Sequence, residues 1–156
     1  MQFPTATGAN LLRQQKILPG DFKGDLNIVI IAFRQWQQMV VNTWLPAAKG
    51  LEQRFPGLAT YELPVIQPMN PIFQAFINEG MRSGIPNSTT RERTITLYVD
   101  KSAFRKALNI VDEETIHILL VDRQGRIYWQ DQGAYSYEKA QRLEQVIRQA
   151  QIAPAP

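Results

Sequence analysis

Apolar positions bunch early in the chain, in Ile28-Val29-Ile30-Ile31-Ala32-Phe33, with Asn27 before the run and Arg34-Gln35 after it. A short β-branched run between polar residues predicts a strand buried on both faces. Past Trp36 the spacing becomes helical, with Val40, Trp44, Ala47, Ala48 and Leu51 on one face. Pro46 removes a backbone donor inside that helix and should kink it, and Phe55-Pro56-Gly57 stops it. Thr60 to Ile66 predicts a second strand, placed toward an edge because Pro64 lies within it.

Asn70-Pro71 opens the next helix as cap and first helical residue, with Ile72, Phe73, Phe76, Ile77 and Met81 on its apolar face and Gly84 at its end. Residues 85 to 93 read as a polar loop. Thr94 to Val99 alternates as a strand, and Asp100 or Ser102 caps a short helix carrying Phe104, Ala107 and Leu108. Thr115 to Val121 and Arg126 to Gln130 form a hairpin about Asp122-Arg123-Gln124-Gly125, with glycine where φ must be positive. Gly133 breaks that strand. Ser136 caps a last helix with Leu143, Val146, Ile147 and Ala150 spaced i, i+3, i+4, i+7.

Alternation followed by a terminal hairpin and helix predicts an α/β fold, one mixed sheet with helices on both faces. The expected organisation is a lead-in over 1–20, a single domain over 21–152 and a disordered tail over 153–156. Leu11, Leu12, Ile17 and Leu18 are packing points of the lead-in, and Pro19-Gly20 is its break.

Composition narrows the chemistry. The 156 residues are 44% hydrophobic and 20% charged, which suits a globular domain. The net charge of +3 comes from scattered basic residues, with no basic run interleaved with aromatics, so no strong nucleic-acid signal arises. There is no cysteine, which excludes disulfides, thiol nucleophiles, cysteine-ligated zinc and iron–sulfur clusters. The longest apolar run falls far short of the roughly 20 residues of a membrane helix. The first residues lack the basic start and apolar block of a signal peptide, so the expected location is cytoplasmic. Phosphate loops, dinucleotide glycine fingerprints and serine-nucleophile motifs are missing.

Trp36 stands where a central strand passes into a helix, the place where α/β proteins usually hold their chemistry. Trp36, Gln37 and Gln38 are packing and solvated helix-start residues, or a patch whose amides hold a carboxylate or peptide backbone. His117 is the single histidine, in a strand with its side chain opposite to Ile116 and Ile118. Its only candidate metal partners are carboxylates such as Glu113 and Glu114, which read instead as a solvated loop, so no metal and no cofactor are expected. Arg82, Arg91 and Arg93 flank the polar loop. They are solvated, or they dock an acidic partner or a phosphate.

Ile30 to Trp36, and Leu119-Leu120-Val121-Asp122-Arg123-Gln124-Gly125-Arg126-Ile127, together resemble the thioredoxin-like superfamily in its peroxiredoxin and thiol-disulfide-reductase branch. The resemblance covers about residues 20 to 150. It implies an apolar strand leading to Phe and Trp, and a hairpin following a cis-proline. The family motif Trp-Cys-X-X-Cys is replaced by Trp36-Gln37-Gln38-Met39-Val40, so Gln37 and Val40 occupy the thiol positions. The cis-proline position falls at Ile116, where a cis bond would cost about 2.5–4 kcal/mol, and a trans bond is expected. Dithiol exchange and cysteine-based peroxide reduction are excluded. The second half, from Tyr98 to Gly133, is similar to the thioredoxin-like assembly factor of the mitochondrial ATP synthase, which chaperones a membrane subunit.

These resemblances imply a redox-inactive binding protein, an adaptor, chaperone or assembly factor whose partner is another protein. Its binding rim would be Trp36, Gln37, Gln38, Ile116 and His117, and contact with a membrane complex would be peripheral. Two alternatives stand beside it. One is a cysteine-free enzyme of glutathione-conjugating type, although that branch usually adds a helical domain which this chain lacks. The other is a weak binder of anionic surfaces, whose affinity would fall steeply with salt.

Overall fold

The computed structural model describes residues 1–68, 71–84 and 87–152. The strands are β1 (Ala6–Asn10), β2 (Gln15–Leu18), β3 (Leu26–Ala32), β4 (Leu58–Ile66), β5 (Ile95–Tyr98), β6 (His117–Val121) and β7 (Ile127–Gln132). The helices are α1 (Gln38–Arg54), α2 (Pro71–Gly84), α3 (Ser88–Arg93), α4 (Lys101–Ala107) and α5 (Tyr137–Ile152). All seven strands form one mixed sheet in the order β2-β1-β5-β4-β3-β6-β7. β3, β4 and β5 run parallel, and the remaining pairings are antiparallel. The expected α/β architecture is the one observed.

Both faces of the sheet are covered, as the unbroken apolar run of β3 requires. On one face Ile28 and Ile30 of β3 meet Val41, Trp44, Ala48 and Leu51 of α1 and Leu143 and Ile147 of α5. On the other, Val29 and Ile31 meet Phe104 of α4 with Phe3, Phe22 and Leu108. The buried stripe of α1 begins at Val41 rather than Val40, which is only half-buried. A 3₁₀ turn over 35–37 precedes the helix, and Trp44, Ala48 and Leu51 of the expected face are buried. α1 continues through Pro46.

Four other expectations change. Residues 6–18, read as a lead-in, form the β1–β2 hairpin and add two strands to the sheet beside β5. Its turn is built on buried Asn10, whose Oδ1 accepts from the backbone N–H of Leu12 and of Gln14, both at 3.0 Å. β4 is the central strand, not an edge. Pro64 stands at the last pair with β3 and one residue before the β5 ladder begins, so its missing donor falls where the strand changes partners. The polar loop contains α3, capped by the Asn87 side chain on Thr90 N–H. Ile72, expected on the inner face of α2, is 77% exposed. The Asn70 cap, the side chains of Phe73 and Phe76 and the tail 153–156 lie outside the described residues.

The first residues cross to the far side of the sheet. Gln2 bridges Arg126, the Phe3 N–H donates to the Gly125 carbonyl at 2.7 Å, and the Phe3 ring packs edge-on against Phe22 and Phe104. The β6–β7 turn has the expected glycine, Gly125 at φ +90.

Candidate functional site

The strand-to-helix turn is held by an amide. Gln37 is fully buried, and its Oε1 accepts from the backbone N–H of Phe33 at 2.8 Å and of Arg34 at 3.3 Å. Its Nε2 donates to the Glu113 carbonyl at 2.8 Å. A side-chain amide carries, on separate atoms, an acceptor able to serve two donors and a donor of its own. The buried amide braces the turn.

Further polar contacts fasten the same seam. Arg34 donates from Nε to the Glu113 carbonyl at 3.2 Å, and its Nη2 pairs with Glu114 at 3.0 Å. The Glu113 carboxylate meets Lys101 Nζ at 3.1 Å and Arg105 Nε at 3.4 Å. Those three side chains are only 21–23% exposed, so their attraction is less screened than that of an open surface pair. The solvated-loop reading of Glu113 is therefore corrected, whereas Glu114 stays 69% exposed. These contacts tie the segment 111–116 to the start of α4 and to the β3–α1 turn.

The five expected rim residues separate. Trp36 is 53% exposed and Gln38 is exposed, while Gln37, Ile116 and His117 are buried. Ile116 is committed to the α1–α5 core, and among the described residues the one cis peptide is Leu18–Pro19, so Ile116 has the trans bond expected. Burial holds the His117 imidazole below its ordinary pKa against the pull of Asp112, which favours the neutral ring. Buried side chains shape a surface and do not touch a partner. Among the described residues no cluster of three His, Asp or Glu forms a metal site.

The arginine cluster is largely engaged within the fold. Arg93 pairs with Glu52, Arg91 donates to the Arg82 carbonyl at 2.9 Å, and Arg82 lies 3.8 Å from Glu79. These contacts tie α3 to α1 and α2.

Exposed apolar side chains gather at the end of the sheet where β3, β4, β5 and β7 finish. Trp36 and Met39 follow β3, Ile72 follows β4, Val111 lies on the segment leading into β6, and Tyr135 and Tyr137 follow β7. They are six of the eight large hydrophobic residues exposed among the described residues, so the apolar surface is concentrated there. Met39 and the tyrosines were not singled out in the sequence. Met39 lies off the Val41–Trp44–Ala48 stripe, which was the available signal.

A sequence model of the ATP10 protein family matches residues 1–149. The chain belongs to the ATP10 family. No curated protein matches it in sequence. Among solved structures, this ATP10 chain is similar to a thiol:disulfide interchange protein from Bacteroides sp., with 19% identity, 94% of this chain and 88% of that one covered, and a TM-score of 0.62. It is also similar to BsSco, of the Sco family of cytochrome c oxidase assembly proteins, with 12% identity, 98% and 95% covered, and a TM-score of 0.67. A putative thiol:disulfide interchange protein DsbE from Chlorobium tepidum aligns at 14% identity, 96% and 94% coverage, with a TM-score of 0.57. The fold is thioredoxin-like, as the sequence resemblance implied, and this ATP10 chain carries it without a cysteine.

One carboxylate behind the site is unlike the rest. Glu62, on central β4, accepts from Gln38 Nε2 at 3.0 Å, and burial raises its pKa above the ordinary 4.5. A raised carboxyl pKa means that the fold prefers the protonated acid. Its stabilising contribution is complete below 4.5 and is lost as pH rises through the folded-state value. Glu62→Gln is therefore expected to melt higher than the parent at about pH 7, with the gap closing as pH falls toward the ordinary carboxyl value. Paired thermal melts across that range check it, and equal melting temperatures throughout would show the burial to be harmless.

Proposed function

We propose that this ATP10 chain is a redox-inactive assembly protein for an ATP synthase, working by contact with protein partners from the cytoplasm. The observation that carries this reading is the apolar rim of Trp36, Met39, Val111, Tyr135 and Tyr137 around a turn braced by Gln37. A thioredoxin-like fold whose nucleophile position is spent on a structural amide has no thiol chemistry to perform. The exposed apolar side chains beside that position suit recognition of another polypeptide. Family membership supports the synthase as the complex concerned. The arginines favour no anionic-surface reading, because Arg93 and Arg82 are held against Glu52 and Glu79.

The test is made in the host. Trp36→Ser combined with Met39→Ser changes two exposed side chains, so the variant should fold. Expected is a several-fold fall in assembled ATP synthase on native gels, relative to total synthase subunits, with the variant present at parental level. Unchanged assembly in that variant overturns the rim as the contact surface. Unchanged assembly after deletion of the gene overturns the assembly role.

A further inference from the structure

Glu62 lies on β4 between two helices. α1 reaches it through Gln38, whereas α2 is fastened further across the sheet, by Tyr98 Oη on the Gln74 carbonyl and by the Arg13–Glu79 pair. Gln38 Nε2 is shared between Glu62 Oε1 and Asn42 Oδ1, both at 3.0 Å. Gln38 and Asn42, four residues apart, form one wall over the carboxylate, and Met39 lies next to them on the solvent side of α1. The glutamates Glu52, Glu79, Glu92, Glu113 and Glu144 each have a basic side chain within ion-pair distance. Glu62 has none among the described residues; Glu138 has none there either, but it is exposed on α5 whereas Glu62 is half-buried, and the residues outside that set include no Lys, Arg or His.

A carboxylate on a central strand that lacks a cation, beside an exposed apolar lip, is an incomplete ion pair. Retaining it is unfavourable for the isolated chain, and a hydrophobic or amide residue would suit the position better. We propose that Glu62 and Gln38 receive a lysine or arginine side chain of the protein partner, whose apolar neighbours rest on Met39 and Trp36. This rests on the binding role given above and adds the chemistry of the bound segment. The cation would pair with the half-buried Glu62 beside the first turn of α1, where the Gln38 amide already holds the carboxylate.

The probes are two peptides, acetyl-Leu-Lys-Leu-amide and the same peptide with norleucine for lysine, titrated into the ¹⁵N-labelled full chain at low salt. Expected is about tenfold tighter binding of the lysine peptide, from the charge-assisted bond, with the side-chain amides of Gln38 and Asn42 shifting. Glu62→Gln should bind the two peptides alike. Equal binding of both by the parent, a lysine preference that survives in Glu62→Gln, or no perturbation by either peptide overturns the proposal. The host assay separates this from the wider reading. Normal synthase assembly with Glu62→Gln, beside reduced assembly with the Trp36/Met39 double variant, removes the cation receptor and keeps the rim. Normal assembly with the double variant removes the rim itself.

Discussion

Trp44→Ala is expected to lower stability by about 4 kcal/mol, the largest effect of any single substitution considered. Trp44 is 1% exposed in the middle of α1, facing β3 and α5. Its ring meets Trp129 edge-on with centroids 6.4 Å apart and Tyr135 edge-on at 5.6 Å, so truncation removes two aromatic contacts and opens a cavity. Its Nε1–H donates to the Gly133 carbonyl at 2.9 Å, and that carbonyl would lose its partner. Urea unfolding should show a lower midpoint with an unchanged slope. The same substitution frees Tyr135, so the apolar rim should lose part of its shape before global unfolding. A loss below about 1 kcal/mol would mean that the site collapses onto the space, contrary to the packing described.

Gln37→Ala is expected to lose about 3 kcal/mol, although no apolar contact of that size is removed. The cost arises from three backbone groups, the N–H of Phe33, the N–H of Arg34 and the carbonyl of Glu113, which the amide now satisfies. Arg34 Nε also reaches that carbonyl, so the two N–H groups carry most of the loss. Gln37→Glu keeps the acceptor and forfeits the donor, while placing a charge at a fully buried position, so it gives no rescue. Urea midpoints of both variants beside the parent check this. An Ala variant as stable as the parent would make the amide dispensable and the turn self-supporting.

The central fold was legible because its signals are local. The Ile28–Phe33 run, the Asp122–Gly125 turn and the i, i+3, i+4, i+7 spacing of α5 each declare an element within a dozen residues. The β1–β2 hairpin has no such signal. Ala6-Thr7-Gly8-Ala9-Asn10 is made of small and polar residues, and it pairs because Gly8 has no Cβ to strike the Thr96 carbonyl. Pro64 misled for a related reason, since its tolerance at the centre depends on where two ladders exchange, a fact of three strands together. At the site, the sequence displayed the absence of cysteine, and the resemblance set Gln37 and Val40 where the family carries thiols. It could not display the brace, because Gln37 and Glu113 are 76 positions apart and meet only after the sheet has formed. Glu62 was invisible in the same way. Within a strand a glutamate looks like an outward polar position, and its half-burial beside Gln38 without a cation becomes apparent only in the folded chain.

The route of the first residues bears on how the chain is made. Phe3 is buried against Phe22 and Phe104, but its backbone is held by Gly125, and Gln2 bridges Arg126. A ribosome delivers the backbone anchors Gly125 and Arg126 more than a hundred residues after Phe3 and Gln2. Until the β6–β7 turn emerges, the opening segment has no strand to close upon and Phe3 no complete pocket. Closing so long a loop is among the slower events available to a folding chain. The pocket of Phe3 is therefore sealed only once the β6–β7 turn has been made.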